Sequence, residues 1–231
     1  MLKRSGITLA VTFFLTSFFL TCFLPGTALG QEERFDASIN GGEVFTNTAS
    51  GNSVVQSATA GLNVFGTLRY KLRPKHSLVF NYGRSRDSQT YATIGKDFHV
   101  LNSISEVSGG YMFSPFPTSK FQPFVLAGGG ALIFSPSSTW VFFPNLPDNM
   151  PDRVEVNLGA SKQTQLAFLY GVGVDYKLPR FSRLSLRMQY RGFLYKAPDF
   201  NVNQNSGSQV NFFTGARGHM AEPSIGFVFR F

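Results

Sequence analysis

Residues 183–191 read Arg-Leu-Ser-Leu-Arg-Met-Gln-Tyr-Arg, a strict alternation of polar and apolar side chains. Because successive side chains of a β-strand point to opposite faces, this pattern predicts a strand with one apolar and one polar face. The polar face carries Arg183, Arg187 and Arg191. Three arginines on one face do not suit a dry core, whereas a barrel lumen offers water and carboxylates as partners. The stretch therefore predicts a membrane-barrel strand whose apolar face contacts lipid.

The same period-two alternation recurs along nearly the whole chain after residue 30. Strands of soluble sheets usually have about five or six residues, and a strand crossing a membrane at a tilt needs about nine to eleven. The alternating runs have the greater length. We predict eight strands, at about 34–45, 57–71, 76–86, 97–113, 121–134, 165–178, 183–194 and 222–231.

Two of these runs carry more specific expectations. In the fifth, the apolar residues of one parity should face lipid: Phe124, Leu126, Leu132 and Phe134. In the fourth, Phe98 and Val100 begin in one phase and the later apolar residues continue in the other, which suggests a β-bulge. Gly128, Gly129 and Gly130 in the fifth run suggest close packing between strands.

The connections between the runs alternate in length. Short ones at 72–75, 114–120 and 178–181 contain proline, and long ones at about 46–56, 87–96, 135–163 and 196–211 are rich in Ser, Asn, Pro and Gly. Outer-membrane barrels have short periplasmic turns and longer extracellular loops. The expected fold is therefore all-β: a closed, eight-stranded, antiparallel, up-and-down transmembrane barrel with both termini on the periplasmic side.

Residues 1–30 have the three-part plan of a secretory signal peptide. Lys3 and Arg4 precede an apolar run, and Ala28-Leu29-Gly30 supplies the small-residue exit. We predict cleavage after Gly30 and a barrel over residues 31–231. An N-terminal membrane anchor is the alternative, although the polar residues at 31–33 suit cleavage better. Cys22 is the only cysteine and would leave with the signal, which excludes a disulfide framework and thiol catalysis.

The chain ends on Pro-Ser-Ile-Gly-Phe-Val-Phe-Arg-Phe at 223–231, with apolar residues at alternate positions before a final phenylalanine. With the signal peptide and the eight runs, this ending resembles the outer-membrane β-barrel domain family, the small eight-stranded barrels similar to the OmpA membrane domain. The resemblance implies the bacterial outer membrane, its lipids as partners, and insertion by the barrel-assembly machinery. Phe227, Phe229 and Phe231 would form the signal that this machinery recognises.

Little in the sequence points to catalysis or to a cofactor. The formal net charge is +8, but the cations are spread singly, so nucleic-acid binding is not expected. No spacing of His, Cys and carboxylates suits a transition metal. His219, Glu222 and Ser224 invite comparison with outer-membrane lipid hydrolases, yet His219 and Ser224 would point to opposite faces of one strand. We expect a cofactor-free protein that is not an enzyme, with a hydrolase as the minority alternative.

The inward charges predict a network across the lumen. It would join Arg183, Arg187 and Arg191 with Asp175, Glu106 and Glu222. An eight-stranded barrel has an interior only just wide enough for side chains, which favours a filled, structural lumen. A narrow conduit for small or apolar solutes is the alternative.

The connection at 135–162 combines apolar residues with four prolines, and includes Trp140, Phe142 and Phe143. An exposed apolar cluster commonly marks a contact surface, here for a ligand outside the cell. Equally, these side chains could fold over the barrel mouth or enter the headgroup zone, where aromatic residues are favoured.

Overall fold

The computed structural model describes residues 34–93, 96–142, 153–154, 161–181, 183–198, 200–203, 209–212 and 214–231. The predicted signal peptide lies outside these residues. Within them, no helix has the length and apolarity needed to cross a membrane.

Eight strands form the wall of the fold. They are β1 (Phe35–Thr46), β2 (Gly61–Arg73), β3 (His76–Thr93), β4 (Lys96–Phe113), β5 (Phe121–Phe142), β6 (Gln163–Lys177), β7 (Leu184–Lys196) and β8 (Arg217–Arg230). Each strand pairs antiparallel with its sequence neighbours. The last strand, β8, pairs back with β1, from Asp36 opposite Arg230 to Thr46 opposite Met220. The predicted closed, eight-stranded, antiparallel all-β barrel is confirmed.

Two strands, β3 and β5, are longer than the alternating pattern indicated, whereas β4 differs from its predicted range by one residue. β3 and β4 each have 18 residues and β5 has 22, so residues 87–93 of the predicted loop at 87–96 and residues 135–142 of the one at 135–163 are strand. Ladder hydrogen bonds hold these extensions, since β3 pairs with β4 out to Thr93 opposite Lys96. The extra strand length therefore depends on hydrogen bonds to the neighbouring strand and not on an apolar face.

Two of the predicted long loops contain hairpins. Ala49–Gly51 pairs with Val54–Ala58, and the second of these strands also pairs with β3. Asn52 and Ser53 connect them with φ of 51° and 61°, as a two-residue type I′ turn requires. Phe200–Asn203 and Gln209–Phe212 form a separate two-stranded sheet, and Arg153–Val154 pairs with the end of β5.

The prediction that the fifth strand turns its apolar parity toward lipid is wrong. Phe124, Leu126, Leu132 and Phe134 are 3%, 5%, 0% and 0% exposed and face the interior, while Val125 between them is 51% exposed. The assumption that apolar residues face lipid fails because part of the interior is itself apolar.

The predicted bulge in the fourth strand is wrong for the same reason. Phe98 and Val100 are buried in the same phase as Asn102 and Ile104, so β4 keeps one parity. The irregularity is instead in the partner strand, β5. Leu101 pairs with Ser138 and Asn102 pairs with Pro136, so Ser137 is an extra residue of β5.

Elsewhere the outer face is as the alternation predicted. Its exposed residues come from β1, β2, β3, β6, β7 and β8, and include Ile39, Leu62, Phe80, Leu166, Met188 and Ile225. The glycines of β5 pack closely against β4, because a Cβ on Gly128 would lie 2.5 Å from the Cα of Gly110.

Candidate functional site

The candidate site is the barrel interior. We call the end with the three short turns (74–75, 114–120 and 178–183) the short-turn end and the opposite end the long-connection end. Along the axis, two layers of ion pairs begin near the short-turn end, and an apolar layer follows toward the long-connection end.

The first ion-pair layer is centred on Asp175 of β6. Arg187 on β7 donates two hydrogen bonds to it, from Nε to Oδ1 at 2.7 Å and from Nη2 to Oδ2 at 2.9 Å. Arg69 on β2 donates from Nη1 to Oδ2 at 3.0 Å. In a ring of eight strands β2 and β6 face each other, so this bond crosses the lumen.

The same layer continues to the wall at β1. Arg69 donates from Nε to Asp36 Oδ2 at 2.6 Å, and Lys71 Nζ lies 3.3 Å from Asp36 Oδ1. Arg187 also donates from Nη1 to Ser38 Oγ at 3.3 Å. Side chains of β1, β2, β6 and β7 are thus joined in one continuous layer.

The second ion-pair layer is centred on Arg191 of β7. Its Nη1 and Nη2 donate to Oε1 and Oε2 of Glu106 on β4 at 3.1 and 2.8 Å, and Nη2 also binds Glu222 on β8. Ser108 Oγ donates to Glu106 Oε1 at 2.6 Å, and Asn81 Nδ2 donates to Ser108 Oγ at 3.0 Å. This layer spans the lumen from β3 and β4 to β7 and β8.

Aromatic rings pack against the two central guanidinium groups. The Cζ of Arg191 lies 3.5 Å from the ring centroid of Phe65, and that of Arg187 lies 5.0 Å from the centroid of Phe124. Cation–π attraction of this kind is worth about 2 kcal/mol or more when the pair is desolvated. The rings occupy the space that water would otherwise take beside each cation.

The ion pairs of the two layers join four cations with four carboxylates. The cations are Arg69, Lys71, Arg187 and Arg191, and the carboxylates are Asp36, Asp175, Glu106 and Glu222. Arg187 and Arg191 are each 1% exposed. A buried ion pair gains little net energy, but removal of one partner typically costs about 3–5 kcal/mol because the other charge is left uncompensated.

An apolar layer fills the interior nearer the long-connection end. Its side chains are at most 4% exposed and include Val44, Tyr91, Phe98, Val100, Ile104, Leu132, Phe134, Leu169, Phe193, Tyr195 and Met220. The rings of Phe134 and Tyr195 lie 5.7 Å apart, centroid to centroid, between β5 and β7. This part of the lumen is packed and largely apolar, and its buried polar residue Gln89 accepts a hydrogen bond from the hydroxyl of Tyr91 at 2.9 Å.

Five of the six charged residues predicted for the lumen form ion pairs inside it, in the two layers. Arg183 does not. Arg183 is exposed in the turn before β7, where its carbonyl oxygen accepts the backbone N–H of Arg230 at 3.0 Å. β7 begins only at Leu184, so the parity of the strand no longer governs Arg183. The prediction is wrong at this position.

Sequence reasoning missed Asp36, Arg69, Lys71 and Phe65. Parity alone places the first three on the inward faces of β1 and β2, and the register puts Asp36 opposite Arg69. That pairing was readable once the two strands were taken as neighbours. Phe65 gave no signal, since an inward aromatic residue breaks the polar pattern of its face.

The cluster considered for hydrolysis is dispersed. His219 lies on the outer face, with Nε2 2.6 Å from the hydroxyl of Tyr170. Glu222 points inward to Arg191. In the described part of the chain, no group of three or more His, Cys, Asp and Glu side chains is placed to hold a metal ion.

The remaining candidates that the structure describes lie on the wall. Trp140 and Phe142 belong to β5, and Phe143 lies outside the described residues. Phe227, Phe229 and Phe231 are 46%, 46% and 45% exposed on the outer surface. The backbone N–H of Phe231 donates to the carbonyl of Phe35 at 2.9 Å. Recognition of this ending by the assembly machinery remains a prediction.

A closed barrel of eight strands, with an apolar outer wall and a packed, ion-paired interior, is the fold of small outer-membrane β-barrels, and this chain has that fold. No family model matches the chain, and no curated protein matches it.

Solved structures match it over most of its length. The outer membrane protein OprG from Pseudomonas aeruginosa has a TM-score of 0.53 at 15% identity, over 87% of this chain and 97% of that one. A major outer membrane protein from Thermus thermophilus has a TM-score of 0.51 at 16% identity, over 85% and 99% of the two chains. At this identity the likeness shows the fold alone.

Proposed function

We propose that the protein is a non-catalytic outer-membrane barrel with a closed interior, and that it acts through the surface at its long-connection end. The observation that carries the proposal is the pair of ionic contacts across the lumen, Arg69 to Asp175 and Arg191 to Glu106. Each joins strands that are not neighbours, so each lies across the path that a solute would take.

Closure of the lumen follows from how these layers are held. An ion moving along the axis would have to displace a guanidinium that is bound to carboxylates on two walls, in each of two layers. The apolar layer beyond them is a further barrier, because charged and polar solutes are costly to transfer into apolar surroundings. A narrow conduit would need all three layers to open together.

A role at the long-connection end is supported by the lengths of the strands. At about 3.3 Å per residue and a tilt of about 45°, the 22 residues of β5 rise roughly 50 Å, whereas the apolar band of such barrels is about 25 Å tall. β3 and β4 accompany β5 with 18 residues each. These three strands form a projecting sheet on which a surface ligand could bind.

We also propose that the protein is not an enzyme, because the residues considered for hydrolysis lie apart. Glu222 is committed to Arg191 inside the barrel, and His219 lies on the outer face beside Tyr170. A hydrolytic triad needs its base within hydrogen-bonding reach of both nucleophile and acid.

A swelling assay on liposomes tests closure. Liposomes holding the refolded protein should swell in isosmotic small sugars no faster than protein-free liposomes, while liposomes with a general porin swell readily. Uptake above the protein-free rate would overturn the closed interior and support the conduit. The same liposomes mixed with an apolar probe test whether the barrel is a conduit for apolar solutes. Uptake of the probe above the protein-free rate would support that conduit.

A further inference from the structure

The short-turn end of the barrel carries a ring of exposed positive charge. Its exposed cations come from the edge of β1 and from all three turns: Arg34, Arg73, Lys75, Lys120, Arg180 and Arg183. We call these six residues the cationic rim. Among the described residues at this end, the acids are Asp36 and Asp175, and both are buried in the ion pairs of the first layer. Neither of these two side chains gives the rim an accessible counter-charge.

The rim is built by a repeated arrangement at the strand starts. Each strand that rises from the short-turn end is preceded by a cation and begins with a ring or an apolar side chain: Arg34-Phe35, Lys75-His76, Lys120-Phe121 and Arg183-Leu184. Inter-strand hydrogen bonds fix the cation's backbone, as where the carbonyl of Arg34 accepts from Lys71 at 2.8 Å and that of Lys120 from Lys177 at 2.9 Å. The cations are therefore held at the edge of the wall.

Aromatic rings lie directly beside these cations on the outer face. Phe35 packs on Tyr70 and Phe121 on Tyr176, each with ring centroids 4.9 Å apart. Phe35 and Phe121 are 59% and 61% exposed. Aromatic girdles of barrels mark the membrane–water interface, so the rim lies at the depth of the lipid headgroups.

We propose that the cationic rim binds the phosphate groups of anionic phospholipids in the leaflet at the short-turn end. Guanidinium and ammonium groups bind phosphate oxygens with charge-assisted hydrogen bonds. A Lys or Arg near an anionic membrane surface contributes roughly a fivefold gain in affinity. Among the described residues, the long-connection end has five exposed cations, and they share that end with the exposed acid Glu43: Arg84, Arg86, Lys162, Lys196 and Arg217.

Lipid selectivity measured by electron spin resonance tests the proposal. The refolded full barrel is placed in phosphatidylcholine vesicles containing spin-labelled phosphatidylglycerol or spin-labelled phosphatidylcholine, and the protein-restricted fraction of each label is compared. We expect a clear preference for phosphatidylglycerol at low salt. In 1 M salt, where the Debye length is about 3 Å, the preference should disappear. A wild-type protein without preference, or with one that salt does not change, would overturn the proposal.

Two matched variants locate the effect. Lys75→Gln/Lys120→Gln/Arg180→Gln removes three charges from the rim and should abolish most of the preference. Arg84→Gln/Arg86→Gln/Arg217→Gln removes three charges from the long-connection end and should keep it. Equal losses in both variants would mean that net charge, and not the rim, attracts the lipid, and would contradict the proposal. Lys75→Arg/Lys120→Arg keeps the charge and should keep the preference, which separates charge loss from misfolding.

Discussion

Arg69 and Asp175 are bound to each other, Nη1 to Oδ2 at 3.0 Å, although they stand on β2 and β6, which face each other across the barrel. Their sequence separation is 106 residues. Both residues have further partners, Asp36 for the arginine and Arg187 for the aspartate, so one contact ties four side chains into a layer. The layer makes the interior a structural element rather than a passage.

Replacing Asp175 should destabilise the barrel strongly. Asp175→Asn keeps the volume but leaves Arg69 and Arg187 without the carboxylate that both bind, and a broken buried pair costs about 3–5 kcal/mol. Urea unfolding of the refolded protein in lipid vesicles measures this loss. Arg183→Ala is the control and should change the free energy of unfolding by no more than about 0.5 kcal/mol, because Arg183 is exposed. Similar effects of the two substitutions would contradict the assigned layer.

Replacing Asp87 should have the opposite effect and raise the free energy of unfolding. Asp87 is 5% exposed, and its partner is the amide of Gln89 at 3.2 Å rather than any described cation. Asp87→Asn removes a buried carboxylate that has no counter-ion among the described residues, so we expect a gain of about 1–3 kcal/mol in the free energy of unfolding. The same urea titration gives the answer. A loss as large as that of Asp175→Asn would show that Asp87 has an ionic partner.

The orientation of β5 can be read from neighbouring positions. In a barrel of residues 31–231, which lacks Cys22, single cysteines at Phe124, Val125 and Leu126 can carry a fluorophore. A lipid-soluble quencher should act strongly at position 125 and weakly at 124 and 126, because only Val125 is exposed. Ala167 and Phe168 on β6 give a matched inward and outward pair. Strong quenching at 124 and 126 would restore the orientation that the sequence suggested.

Period-two alternation was enough to predict the barrel, because lipid requires an unbroken apolar outer face. It failed where the inward face is also apolar. Both faces of β5 are hydrophobic, with Phe124 and Leu132 on one face and Val125 on the other. Hydrophobicity alone therefore does not show which face contacts lipid. The apolar interior arises from contacts between side chains of β1 and of β3 to β8, and no single strand reveals them.

The charge network was predictable in part for a similar reason. Arg187, Arg191, Asp175, Glu106 and Glu222 stand out as inward charges on well-formed strands. Arg183 has the same parity but precedes the first ladder residue of β7, where alternation no longer sets direction. The end of a strand is fixed by its turn and its neighbour, which the local pattern does not contain.

The role of the final residue can be separated from folding. Deleting Phe231 should lower the amount of protein in the outer membrane of cells, if the alternating ending is the assembly signal. Folding into detergent in vitro should change little, since one interfacial side chain contributes at most about 1.5–3 kcal/mol by burial. The control is Phe116→Ser, because Phe116 is another exposed phenylalanine at the short-turn end. Normal membrane levels of the deletion variant would show that this ending carries no signal.

The closed interior is tested most directly by the single-channel current of the refolded wild-type protein in a planar lipid bilayer. Two layers of cross-lumen ion pairs and an apolar layer lie along the axis, so we expect no steady conductance at any moderate voltage. Substitution of Arg183, which lies outside the layers, should leave the bilayer equally silent. A steady, anion-selective current through the wild-type barrel would contradict the account and make the inward arginines the lining of a pore.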